Sequence, residues 1–173
     1  DGYSSPIRRI RDLPWTGQIV QVGMRGVGSA RELEVREALE AGNVIVTADE
    51  VHANGVETVT ERMSFGEPWY VAIDVDGFDP SVTPGTGYPV PGGLTFRQGR
   101  DLIRAIAERG LLCGMDIAEI YPSRDLRGLT ALTALRVLML AMGWSARAAG
   151  REDAVLPAAI ATRLGSMAAA ERS

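Results

Sequence analysis

Residues 69–80 read WYVAIDVDGFDP. The stretch is apolar on consecutive positions from Trp69 to Ile73, the pattern of a strand buried on both faces in a parallel sheet. It then breaks into three aspartates, Asp74, Asp76 and Asp79. In an open parallel sheet ligands collect beyond the carboxyl ends of the strands, and Asp74 and Asp76 belong to that end. Residues two apart in an extended chain point the same way, so the two carboxylates converge on one small volume. Held close, they raise each other's pKa unless something positive lies between them. A divalent cation or an arginine answers that need. With no ligand, the aspartates would instead cap the loop through Asx-type hydrogen bonds, a reading that suits Asp79 because it precedes Pro80.

Outward from this stretch the chain alternates β-branched runs with capped helical stretches. QIVQVGMRG (18–26) reads as a strand, and SARELEVREALEAG (29–42) as a helix with a Ser29–Glu32 capping box and Gly42 past its end. NVIVTADEV (43–51) is strand-like and GVETVTERMS (55–64) a weaker helix. After a Pro/Gly-rich loop, TFRQGRDLIRAIAERG (95–110) opens with a Thr95–Gln98 capping box, LLCGMDIAEIYP (111–122) is the next strand, and a long helix covers about 127–143. Strands joined by crossovers of a dozen or more residues predict an α/β fold with a parallel sheet. One domain is expected over 1–145, followed by an Ala/Arg-rich tail over 146–173, helical or disordered.

Composition bounds the function. The 173 residues carry a formal charge of -4, and all 18 basic residues are arginines scattered without a stripe, which argues against nucleic acid as a partner. Cys113 is the sole cysteine, so intrachain disulfides and cysteine metal clusters are excluded and a cytoplasmic location is expected. LTALTALRVLMLAMGW (129–144) is apolar, but Arg136 in its middle makes a buried soluble helix the expected reading, with no membrane partner.

Three metal-binding patterns begin like this one. An EF-hand loop counted from Asp74 would need glycine where Asp79 stands and glutamate where Gly85 stands, so it fails. A haloacid-dehalogenase-type phosphatase also ends a strand in Asp-x-Asp-Gly, but Phe78 follows in place of threonine and the chain has no lysine for the phosphoryl group. The third pattern extends much further. AIDVDGFDPSVTPGTGYPVPGGLTFRQGRDLI followed by GMDIAEIYP resembles the ureohydrolase family, the arginases and agmatinases, and is most similar to the agmatinase-like branch. The resemblance runs from about residue 3 to about 145.

What the resemblance implies is a three-layer α/β/α fold with a mainly parallel sheet. It also implies an amidinohydrolase that splits a guanidino group to an amine and urea at two Mn²⁺ ions, which lower the pKa of the attacking water. Asp74 would bridge both metals, Asp76 would bind one, and Glu119 would pair with the substrate guanidinium. Hard oxygen ligands suit Mn²⁺, and a carboxylate suits a planar cation by paired hydrogen bonds. No residue in this chain is assigned as the catalytic group itself. A homo-oligomer, trimer or hexamer, is implied for the full-length protein.

The sequence also departs from the family. Its Gly-Gly-Asp-His and Asp-x-His-x-Asp segments are absent, and the strand carrying the latter would lie between VAIDVD and IVQVGM in the family's strand order. With a start other than Met, this leads to the expectation of a C-terminal portion lacking the N-terminal strands, inactive by itself. The one histidine, His52, is expected to be a surface or capping residue. Tyr3 stands where agmatinases usually carry a histidine, and Tyr88 where the family mostly has threonine. Both are candidates for contact with a guanidino substrate other than agmatine. The competing expectation is a non-catalytic binding or assembly fragment.

Overall fold

The computed structural model describes residues 6–26, 30–109 and 112–151. The chain opens with α1 (Pro6–Arg11), a helix the sequence reading had not marked, and continues through β1 (Val20–Met24), α2 (Glu32–Glu40), β2 (Val44–Thr47), α3 (Ala48–Asn54) and α4 (Glu57–Thr60). Then come β3 (Trp69–Asp74), α5 (Phe96–Ala107), β4 (Leu112–Ala118) and α6 (Leu129–Ala148). β1 pairs with β2 and β3 with β4, each in parallel, so the α/β class with parallel strands joined through helices is what the chain adopts. Among the described residues no ladder joins β1 to β3, which lie in two separate two-stranded sheets.

Local chemistry sets the element ends. Thr95 accepts from the backbone N–H of Gln98 at 3.2 Å while Gln98 Oε1 accepts from Thr95 N at 2.9 Å, the reciprocal box that starts α5. The same device operates between Thr47 and Glu50. It ends β2 at Thr47 and begins α3, so the strand stops four residues before the expected limit at 51. The α2 helix begins at Glu32, with Glu34 accepting from Arg31 N at 2.9 Å; Ser29, the expected cap, lies outside the described residues. The helix expected over 55–64 contracts to the single turn of α4. α6 runs through Ala148, beyond the expected boundary at 145, and the tail from 152 lies outside the described residues.

The core gathers on one face of the strands. Val46, Val51, Val59, Phe78, Ile103, Ile106, Val137 and Ala141 are buried together, with Val71, Ile73 and Met115 packed against them. Buried positions 130, 133, 134, 137 and 141 of α6 recur at helical spacing, which seats one side of that long apolar helix in the core. The opposite face of β3–β4 is open among the described residues. Tyr70 is 59% exposed there, so the two-sided burial read from the apolar run does not hold for β3 in this chain. A Cβ on Gly114 would come within 2.9 Å of the Tyr70 ring, so glycine leaves room for that ring on the open face.

Gly99 tests the core. A methyl group there would overlap the ring of Phe78, which is buried under the start of α5. Gly→Ala gains about 1 kcal/mol in helix propensity, but overpacking a rigid core costs about 1–3 kcal/mol. Gly99→Ala is therefore expected to lower the melting temperature of the full-length protein, and a rise would contradict this packing.

Candidate functional site

β3 ends at Asp74, and the chain turns at once through a 3₁₀ turn over Val75–Gly77. Asp74 Oδ1 accepts from Asp76 N at 3.1 Å, which fixes the two residues in one tight turn. Thr83, itself buried, donates its hydroxyl to Val75 O at 2.8 Å and holds the turn from behind. Asp74 pairs in register with Ala118, so Glu119 follows directly beyond its partner at the same carboxyl end. Glu119 has φ 61, one of two non-glycine residues in the left-handed region among those described. Backbone strain of this sort is concentrated at functional sites.

The electrostatics of Asp76 reflect burial and these neighbours. Burial, followed by the charge of Asp74 and a hydrogen bond to it, pushes Asp76 up to about 6, with Glu119 adding to the rise and Arg25 opposing it. Asp79 behaves in the opposite way. Its carboxylate accepts from Ser81 Oγ at 2.6 Å, Ser81 N at 3.0 Å and Gly92 N at 2.9 Å, and these bonds, led by the Ser81 hydroxyl, hold it down to about 2. Asp79 is a loop staple tying the turn after β3 to the glycine pair before α5.

His52 lies in the last turn of α3. Its Nδ1 is 3.1 Å from Gln98 Nε2 and its Nε2 is 3.3 Å from Gly92 O. Gln98 can only donate there, because its Oε1 is taken by Thr95. His52 Nδ1 therefore accepts and Nε2–H donates to Gly92, which makes the residue a bridge between α3 and the start of α5.

The 84–87 loop is anchored on the chain beyond Glu119. Tyr121 N donates to Gly85 O at 2.9 Å, Arg124 donates to Gly87 O at 3.2 Å, and the Tyr121 ring lies against Gly87, where a Cβ would approach within 3.1 Å. Tyr88, next in the chain, is 61% exposed and so is not packed into its own loop. Tyr3 lies outside the described residues. Sequence reasoning missed Arg25 and Tyr121. The signals were a polar residue just past an apolar strand in GMRG, and an aromatic two residues beyond Glu119 in EIYP.

Asp74 and Asp76 offer the hard oxygen donors that a divalent cation takes, and a cation beside them would relieve the repulsion felt by Asp76. The donor chemistry fits, although among the described residues no group of three or more His, Cys, Asp or Glu converges as a metal cluster.

A family model described as Arginase family matches residues 3–143. An agmatinase of Chromobacterium violaceum is 43% identical over 96 residues, which is 54% of this chain and 30% of that protein. An N(1)-aminopropylagmatine ureohydrolase of Thermus thermophilus is 31% identical over 148 residues, 86% of this chain and 48% of that one. Among solved structures, the agmatine ureohydrolase of Thermoplasma volcanium superposes with a TM-score of 0.68 at 30% identity, covering 80% of this chain and 46% of its own. The proclavaminate amidino hydrolase of Streptomyces clavuligerus gives 0.64 at 35% identity, covering 75% and 42%. The chain thus spans less than half the length of these relatives.

The two aspartates make opposite predictions for the metal-free protein. Asp76 has a folded pKa raised to about 6, so its contribution is fully present below the unfolded value and is lost as pH rises through about 6. Asp79, lowered to about 2, contributes stability above the unfolded value that is lost as pH falls toward 2. In thermal melts with chelator, Asp76→Asn should gain on wild type between about pH 4 and pH 7, whereas Asp79→Asn should lose most at about pH 7, since an unfolded aspartate titrates near 3.9. Parallel pH curves for both variants would contradict the assignment.

Proposed function

The chain belongs to the arginase family, and from that premise we propose that the protein carrying it is a manganese-dependent ureohydrolase that cleaves a guanidino compound to an amine and urea. The observation that supports the reading is the placement of Asp74, Asp76 and Glu119 at the carboxyl ends of two paired parallel strands, with Asp76 pushed up by burial and then by the charge of Asp74. A site this rich in carboxylate is suited to cations, both the metal and a guanidinium.

In this reading Asp74 and Asp76 hold the metal, which when bound supplies Lewis acidity and a water nucleophile available near neutral pH. Glu119 takes the guanidinium by two parallel hydrogen bonds, the geometry that a planar cation and a carboxylate share. Its place beyond β4 lets it orient the substrate carbon toward the Asp74–Asp76 turn. Tyr88, exposed beside the anchored 84–87 loop, would be free to contact the rest of the substrate. In that role an exposed tyrosine would select a guanidino compound through an aromatic contact.

The test is urea release by the full-length protein, loaded with Mn²⁺, from a panel of guanidino compounds including agmatine and arginine. Asp74→Asn should reduce kcat by more than Asp79→Asn, since a ligand is lost in the first and a loop staple in the second. Equal losses at matched metal content would contradict the roles. Residues 1–173 alone should release no urea, because two carboxylates are a partial ligand set. Turnover of a generic phosphate ester with Mg²⁺, with none on guanidino compounds, would overturn the ureohydrolase reading.

A further inference from the structure

β1 and β3 lie in different sheets, yet the segments that follow them meet. The register of β1 slips between Val22 and Met24, where Gly23 adopts φ +86, a conformation favoured by glycine. Arg25 comes directly after this irregular strand end and is half-buried. Among the described residues its guanidinium donates to four backbone carbonyls on three segments. One is Gly23 O of its own strand at 3.3 Å; two are Asp76 O at 2.6 Å and Phe78 O at 3.2 Å in the turn beyond β3. The fourth is Val90 O, reached by Nη2 at 2.6 Å and by Nε at 3.1 Å, in the loop that leads to Gly92.

We infer that Arg25 is a positioning residue of the proposed metal site: it clamps the turn carrying Asp76 to β1 and to the 88–93 loop without itself acting on substrate. The inference rests on the reading of Asp74 and Asp76 as metal ligands. Its physical basis is donor geometry. A guanidinium spreads five N–H donors over a rigid plane, so one side chain can engage carbonyls on separate segments, and its charge strengthens each bond. A lysine ammonium has three donors at a single point and cannot span the same set. The bond to Asp76 falls on its backbone carbonyl, so the turn is gripped through the main chain of the ligand residue. Among the described residues no ladder joins β1 to β3, and the clamp links the segments that follow them directly.

The experiment compares Arg25→Lys with Val46→Ala in the full-length protein. Val46 is a fully buried β2 residue, and its truncation reports a loss of stability that leaves the clamp intact. Both variants should melt earlier than wild type. Only Arg25→Lys should speed amide hydrogen exchange in segments 75–83 and 88–93. It should also weaken Mn²⁺ binding by about ten- to a hundredfold, the range for partners that orient metal ligands, and lower kcat by a larger factor than it raises KM. Exchange, Mn²⁺ affinity and kcat indistinguishable from those of Val46→Ala would overturn the inference. If wild type binds no Mn²⁺ and releases no urea, the metal-site reading fails, while the exchange data still decide whether Arg25 clamps the turn. Should Arg25→Lys not fold, ¹⁵N-arginine labelling of wild type supplies the decision. A slowly exchanging Arg25 Nε–H supports the clamp, and exchange at the rate of a solvated arginine overturns it.

Discussion

Like charge held at close range is the constraint around which this end of the molecule is organised. Asp74 and Asp76 cannot drift apart, because the 3₁₀ turn after β3 joins them through the Asp76 N–H to Asp74 carboxylate bond. The fold therefore maintains a repulsion that a free chain would relax. Burial, and after it the Asp74 charge, hold Asp76 up at about 6, above an ordinary aspartate. A cation is the economical relief, and the surrounding loops are built as though the turn must keep its shape.

That shape is maintained by bonds to the main chain. Asp79 ties the turn to Gly92, Leu94 donates to Gly77 O and accepts from Asp79 N, and Thr83 holds Val75 from beneath. Gly92 is in turn held by His52, which leans on the same Gln98 that caps α5. A chain of contacts thus runs from the last turn of α3 and the start of α5 to the aspartate turn. Arg25 closes it from the side of β1. The carboxylates are consequently presented by a framework whose helices and loops have few ways to yield independently.

Much of this was open to sequence reasoning where the governing physics is local. The strand end at Asp74, the Thr95–Gln98 box and the terminal Gly42 of α2 each depend on residues within a few positions of one another. The Thr47–Glu50 box was equally local, but the β-branched run VIVT drew the reading toward a longer strand. Arg25 was out of reach for a different reason. Its partners Asp76 and Val90 stand 51 and 65 residues away, and no periodicity announces such a bond. An apolar run such as β3's reports that both faces tolerate burial, whereas whether a layer covers the second face depends on other segments. His52 likewise became a bridge only once α3 and α5 were brought side by side.

The most direct measurement of the central claim is anomalous X-ray scattering at the manganese edge from crystals of the full-length protein grown with Mn²⁺. The account predicts anomalous peaks at the carboxyl end of β3, with carboxylate oxygens of both Asp74 and Asp76 in the coordination sphere. Manganese bound elsewhere, or an active ureohydrolase whose metals leave both of these carboxylates uncoordinated, would contradict it.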